Sequence, residues 1–130
     1  FQKKMGHKVS ENLHDLSPDD VSDLLLLNTD FLLEEVTELL QEIFLLQHNC
    51  EQNMDRRAWN TEALLKELAD VQYTLSGFAS ALGLPLNQAF HRVHQSNMTK
   101  LGADGKPVID LQGKVRKGPN YIPPIMIDLI

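Results

Sequence analysis

Cysteine is nearly absent from this chain, since Cys50 is the single one among 130 residues. One cysteine excludes a disulfide within the chain and suits a reducing compartment. Long apolar runs are absent too, because the longest run of leucines, Leu24 to Leu27, is far too short to cross a bilayer. The basic start is followed by polar residues instead of the apolar segment of a signal peptide. We therefore expect a cytoplasmic protein that does not bind membranes.

Positive charge is scarce in the first half of the chain. Between residues 11 and 70, 15 acidic residues stand against three basic ones, whereas residues 91–118 hold six basic and two acidic residues. A nucleic-acid binder would more often be basic overall than carry a net charge of -6, so no nucleic-acid partner is expected. Acidic helices attract cations and a basic segment attracts anions. This division suits a metal-chelated phosphate as the ligand.

Apolar residues recur at helical spacing through most of the chain. Ser17 followed by Pro18 predicts the start of a helix that either breaks at residues 28–30 or continues to about residue 48. Asn60 is suited to cap a second helix, and Gly83 to end it. Pro85 is expected to begin a third helix that frays near residue 98. Each helix has one apolar face, which is typical of a helical bundle.

Residues 100–130, here called the tail, differ from the helical part. Beyond Met98 the chain contains four of its seven glycines and four of its six prolines. Residues 107–110 and 114–116 flank a turn and predict a small β-hairpin. We expect an all-α, four-helix-bundle-like fold with a mostly irregular tail. The predicted organisation is a single domain with an arm over 1–16, helices over 17–99, and the tail packed on the bundle or on a neighbouring subunit.

A short segment rich in leucines and acids occurs twice. Residues 32–39 align without gaps on residues 64–71, with apolar residues at matching positions. Acids three residues apart lie about 60° apart around a helix, so each copy forms a small acidic patch beside its apolar face. Two antiparallel helices would bring the patches to one level. The aligned acids are Glu35 with Glu67 and Glu38 with Asp70.

Carboxylates beside an apolar face are costly to leave ionised unless a cation or a donor compensates them. Four together predict a metal site. Because the ligands are all oxygens, magnesium or manganese is expected rather than zinc, which usually recruits His or Cys. Glu34 lies on the same helix and is placed to hold a second ion or to orient a water. The alternative is that the acids form the solvated flank of a helical dimerisation module.

The acidic pattern resembles the metal motif of the all-alpha nucleoside triphosphate pyrophosphohydrolases, the MazG-like superfamily. It reads Glu-Glu-x-x-Glu from Glu34 and Glu-x-x-Asp from Glu67, with 28 residues between the two parts. The likeness covers about residues 31–124 and extends to segments typical of a phage and bacterial branch. Those segments are Val93-His94-Gln95-Ser96-Asn97-Met98-Thr99-Lys100-Leu101, Asp104-Gly105-Lys106, Gly113-Lys114-Val115 and Lys117-Gly118-Pro119-Asn120-Tyr121.

This resemblance implies an activity and a set of roles. It implies hydrolysis of a nucleoside triphosphate, often a deoxynucleotide, between the α and β phosphates, giving a monophosphate and pyrophosphate. It also implies a MazG-type fold. Separately, the broad apolar faces of the helices favour a homodimer or higher homo-oligomer. By position, magnesium is expected on Glu35, Glu38, Glu67 and Asp70, with Glu34 as a second-metal ligand or a catalytic group that orients the water. The substrate is expected on four further residues: Asn97 and Lys100 meet the phosphates, and Lys117 and Tyr121 close the site from the tail.

Other classes of protein account for less of the sequence. A di-iron carboxylate bundle needs Glu-x-x-His on two helices, and only residues 11–14 have that spacing. Within the superfamily the rival is a phosphoribosyl-ATP pyrophosphohydrolase, which shares the fold and the cleaved bond. The tail segments count against this rival. A non-catalytic module that dimerises or binds nucleotides is the remaining alternative.

Overall fold

The structure, a computed structural model, describes residues 3–6, 9–10 and 12–130. The chain forms two compact units, Phe1–Leu84 and Pro85–Ile130. The described residues contain the helices α1 (Pro18–Glu51), α2 (Thr61–Ala81) and α3 (Leu86–Met98) and the strands β1 (Val108–Ile109) and β2 (Val115–Arg116). The predicted all-α fold with a small hairpin in the tail is confirmed.

Helix α1 runs for 34 residues without interruption. It begins as predicted, because the Ser17 hydroxyl accepts a hydrogen bond from the backbone N–H of Asp20 at 3.1 Å. The polar residues 28–30 do not break it. Asn28 is buried, and its side-chain amide donates to the carbonyl of Leu24 at 2.7 Å, so the helix itself satisfies this polar group. A helix of this length extends about 51 Å.

Helix α2 packs against α1 in the antiparallel direction. Its start is capped by Asn60, whose side-chain oxygen accepts from the N–H of Ala63 at 3.0 Å, and Gly83 follows its end with a φ of 68°. Leu24, early in α1, packs with Ala81 at the end of α2, whereas the acids in the middle of the two helices meet each other. The numbering therefore rises along α1 as it falls along α2.

The buried core of the described part of the chain is small. Only Leu24, Ala81 and Leu82 are buried hydrophobic residues there, with Leu13, Leu16 and Phe78 partly buried against them. Several positions on the predicted apolar faces of the two long helices are instead exposed to solvent. They include Leu33 (59% exposed), Leu40 (42%), Ile43 (37%), Phe44 (61%), Leu65 (67%), Leu68 (49%) and Leu75 (43%).

In the second unit, side chains of α3 hold the end of the tail. Ser96 donates to the carbonyl of Ile122 at 2.7 Å, and the Thr99 hydroxyl accepts from the N–H of Ile122 at 2.9 Å. Arg92 pairs with both carboxylate oxygens of Asp128. The three donor and acceptor side chains recur once per helical turn, so a single face of α3 fixes the segment.

The hairpin of the tail forms where the sequence predicts it. Its strands are antiparallel, with Val108 opposite Arg116 and Ile109 opposite Val115. The turn is closed by Asp110, whose carboxylate accepts from the N–H groups of Gln112 and Lys114 at 3.0 and 2.9 Å. The tail is therefore ordered by local hydrogen bonds more than by a core of its own.

No helix in residues 3–6, 9–10 and 12–130 combines the length and the apolar character needed to cross a membrane. The cytoplasmic location stays a prediction. So does the organisation into an arm, a helical part and a tail within one domain. Residues 1–2, 7–8 and 11 of the predicted arm lie outside the described residues, and Glu11 of the Glu-x-x-His spacing is among them.

Candidate metal and substrate site

The acids of the two repeated segments come together where α1 and α2 pack. One carboxylate oxygen each from Glu35, Glu38 and Glu67 lie within 4.8 Å of one another. We call these three residues the carboxylate cluster. The first two lie on α1 one turn apart, and the third lies on α2, so the antiparallel packing creates the cluster. Three of the four acids that the sequence repeat predicted to converge thus lie together.

Glu67 is the buried member of the cluster. The residue is 8% exposed, and its Oε2 has no hydrogen-bond partner, while its Oε1 accepts from the ammonium of Lys66 at 2.8 Å. A buried carboxylate oxygen without a donor or cation carries a large desolvation cost. The arrangement therefore fits a hard divalent cation, which would satisfy this oxygen together with those of Glu35 and Glu38.

Asp70, the fourth predicted ligand, makes a different contact. Its Oδ2 lies 2.8 Å from the ammonium of Lys66, and it does not belong to the group of three oxygens within 4.8 Å. Lys66 is a contact that the sequence analysis missed. The signal was present, because a lysine four residues before an aspartate on a helix shares its face.

Burial and the repulsion of neighbouring acids both act on the pKa of Glu35. Its pKa is raised above the ordinary value by partial burial, then by the negative charges of Asp70, Glu38 and Glu34, and is lowered by Lys66. The carboxylates of α1 and α2 therefore act on each other across the helix contact. Glu34 itself is exposed and lies near enough to contribute to this field. Its proposed role in catalysis remains a prediction.

The four residues predicted to bind the substrate all belong to the second unit. Asn97 and Lys100 lie at the end of α3, where the N–H of Lys100 donates to the carbonyl of Asn97 at 3.1 Å. Lys117 and Tyr121 contact each other, with the ammonium 4.6 Å from the centre of the ring. The backbone at Gly118, next to Lys117, lies against the backbone at Leu101, next to Lys100, because an added Cβ at Gly118 would be 1.7 Å from the carbonyl oxygen of Leu101.

A pocket of about 340 Å³ lies between α3 and the end of the tail. The charge of Arg92 in its wall is compensated by Asp128. None of the four residues predicted to bind the substrate lines this pocket, so it is separate from the pairs just described. Its lining residues are Arg92, Gln95, Ser96, Thr99, Ile122, Pro123, Pro124 and Ile125.

Comparison with known families assigns the chain. Residues 1–97 match the model of the phosphoribosyl-ATP pyrophosphohydrolases. The chain belongs to the phosphoribosyl-ATP pyrophosphohydrolase family. This family is part of the all-alpha MazG-like superfamily, so the resemblance seen in the sequence is confirmed at that level. No curated protein sequence matches the chain.

Membership in the phosphoribosyl-ATP pyrophosphohydrolase family makes this protein a nucleotide pyrophosphohydrolase, a hydrolase that acts on acid anhydrides. Enzymes of the superfamily generally use divalent metals, in agreement with the carboxylate cluster. The match ends at residue 97, before nearly all of the segments that favoured another branch. The family match thus also fits the rival substrate considered above.

The cluster predicts how replacing Glu35 changes the stability of the metal-free protein. A raised pKa means that the folded chain holds the proton more tightly than the unfolded chain, so stability falls as the pH rises from 4.5 through the raised pKa. Glu35→Gln removes the ionisable group. In a chelator at neutral pH, its Tm should exceed that of the parent by about 1–2 °C, with a flatter dependence on pH.

Thermal unfolding followed by circular dichroism measures this difference. Glu42→Gln is the matched control, because it lies on the same helix outside the cluster and should leave the Tm nearly unchanged. A lower Tm for Glu35→Gln in the chelator would show that Glu35 is stabilised rather than repelled by its neighbours.

Proposed function

We propose that this protein is a magnesium-dependent nucleoside triphosphate pyrophosphohydrolase. It cleaves a nucleoside or deoxynucleoside triphosphate between the α and β phosphates, giving the monophosphate and pyrophosphate. The observation that carries the proposal is the convergence of Glu35, Glu38 and Glu67 in a member of a pyrophosphohydrolase family. The oxygen-only ligand set favours Mg²⁺, with Mn²⁺ as a substitute.

Each acid has a part in this proposal. Glu35, Glu38 and Glu67 hold the ion, and Asp70 joins them once its carboxylate is free of Lys66. When bound, the ion supplies charge neutralisation for the phosphate oxygens and makes a water more acidic. Glu34, exposed beside Glu35, is placed to orient the water that attacks the α phosphorus. The negative field of the acids without a metal is itself unsuited to a polyphosphate, so the substrate binds once the metal is in place.

The phosphate chain also needs cations from the protein. We assign this role to Lys100 and Lys117, with Asn97 and Tyr121 as hydrogen-bonding partners. The local geometry of the second unit supports the assignment, because Gly118 allows the segment that carries Lys117 to lie against the backbone next to Lys100. Two ammonium groups would offset the charge that develops on the leaving pyrophosphate.

Phosphoribosyl-ATP is the second candidate substrate, because the matched family is named for its hydrolysis. It is itself a nucleoside triphosphate and is cleaved at the same bond, so the same carboxylates would serve. The two substrates differ in the phosphoribosyl group attached to the base. Discrimination therefore depends on the surroundings of the base rather than on the metal ligands.

A panel of triphosphates with Mg²⁺, analysed by separation of the products, tests the proposal. Ribonucleoside and deoxynucleoside triphosphates and phosphoribosyl-ATP form the panel. We expect pyrophosphate and a monophosphate. Orthophosphate with a diphosphate nucleotide would contradict the proposed bond, turnover of phosphoribosyl-ATP alone would favour the second candidate, and no turnover would favour a non-catalytic module.

Glu38→Gln should reduce kcat by about 100-fold or more, because the amide lacks the charge needed to hold the divalent ion. The helical content measured by circular dichroism should stay the same, since the cluster contributes little to the buried core. Glu42→Gln, one turn further along α1, should retain the activity of the parent. Retained activity in Glu38→Gln would remove Glu38 from the metal ligands.

We further propose that the protein is a homodimer built on α1 and α2. The support is the amount of apolar surface left exposed on these helices, such as Phe44 at 61% and Leu65 at 67%. Large apolar side chains exposed at this many positions of two packed helices are a common sign of a protein interface, and a second copy would present the same side chains. Pairing two helical hairpins would also complete a four-helix bundle of the kind that the sequence predicts.

Phe44→Asp should weaken the dimer, because it places a charge on the face proposed to be buried. Sedimentation velocity over a range of concentrations should show the parent as a dimer and the variant shifted toward monomer, by about tenfold or more in the dissociation constant. Leu111→Asp is the control, since Leu111 is fully exposed at the tip of the hairpin. A monomeric parent, or an equally dimeric Phe44→Asp, would contradict the proposal.

A further inference from the structure

Lys66 is the cation nearest to the predicted metal ligands of α2. Its ammonium lies 2.8 Å from Oε1 of Glu67 and 2.8 Å from Oδ2 of Asp70. It thus binds two of the four carboxylates that the repeat predicts for the metal. The sequence contained it only as the residue that replaces Glu34 in the second copy of the repeat.

This ammonium and a divalent ion compete for the same negative charge. Glu67 already shares one oxygen with Lys66, and its other oxygen is buried without a hydrogen-bond partner. Asp70 is held by Lys66 and stands outside the group formed by the other three acids. A divalent ion bound by both residues would meet a positive charge within hydrogen-bond distance of its own ligands, where repulsion is strong.

Lys66 can also move away from Glu67 and Asp70 at low cost. Its side chain is 62% exposed, and an ammonium on a four-carbon stem is readily hydrated when it moves into solvent. The buried oxygen of Glu67 has no such freedom. When a divalent ion arrives, the low-cost movement is that of Lys66.

We propose that Lys66 is an internal counter-ion that a divalent metal displaces from Asp70 and Glu67. In the metal-free protein Lys66 compensates the repulsion among the acids, and in the metal-bound protein it has withdrawn. It therefore lowers the metal affinity of the site while stabilising the metal-free fold. This inference rests on the proposed function, because it needs the cluster to bind a divalent ion.

The test measures two quantities on the complete chain, the Mn²⁺ dissociation constant by calorimetry and the Tm in a chelator. Lys66→Gln should bind Mn²⁺ more tightly by roughly two- to tenfold and should have a lower Tm without metal. Lys66→Arg, which keeps the charge, should stay close to the parent in both. Lys114→Gln removes the same charge from the exposed hairpin and should change neither quantity appreciably.

The opposite directions of the two changes are what a displaced counter-ion requires. If Lys66 only positions its neighbours, Lys66→Gln will weaken Mn²⁺ binding as well as lower the Tm, and the inference is overturned. Unchanged Mn²⁺ affinity in Lys66→Gln, in a parent that binds Mn²⁺, overturns it too and leaves the proposed function intact. A parent that binds no Mn²⁺ overturns both.

Discussion

Repulsion among carboxylates at the contact of two helices is the constraint on which the site depends. Packing α1 against α2 buries Glu67 and brings it close to Glu35 and Glu38, so the fold concentrates negative charge where water is partly excluded. Such a concentration of negative charge is stable only if a cation compensates it. In the structure Lys66 compensates part of this charge by pairing with Oε1 of Glu67, and Oε2 of Glu67 has no hydrogen-bond partner. The same repulsion that weakens the metal-free contact is what makes it a strong ligand set for a hard divalent ion.

The buried core of the first unit is small, so additional binding partners would add substantially to its stability. Long amphipathic helices gain most of their stability from burying an apolar face. In this structure large apolar side chains on both α1 and α2 remain exposed. A second copy would bury those side chains, and a divalent ion would join the two helices at their middle. Both would bind the folded chain and not the unfolded one, so both would raise its stability.

Much of this architecture was accessible from the sequence, because its determinants are local. Ser17 and Asn60 cap the helices, Gly83 follows the end of α2, and a hairpin turns between residues 110 and 114, all as predicted. The convergence of the acids was accessible because repeated segments on antiparallel helices meet at one level. The continuity of α1 across residues 28–30 could not be predicted in the same way, because it depends on the hydrogen bond from the buried amide of Asn28 to the carbonyl of Leu24. The contact of Lys66 with Asp70 was missed. A spacing of four residues permits an ion pair on a helix, but an exposed lysine gains little from pairing over remaining in solvent, so the spacing alone does not predict the pair.

The claim that the carboxylates of α1 and α2 share one divalent ion is tested most directly by Mn²⁺ binding to Glu67→Gln. Glu67 joins the acids of the two helices, and its buried oxygen is the one that has no partner in the protein. Calorimetric titration should show Mn²⁺ binding to the parent and an affinity lower by about tenfold or more in Glu67→Gln, with the helical content unchanged. A parent that does not bind Mn²⁺, or a Glu67→Gln variant that binds it as tightly as the parent, would contradict the account.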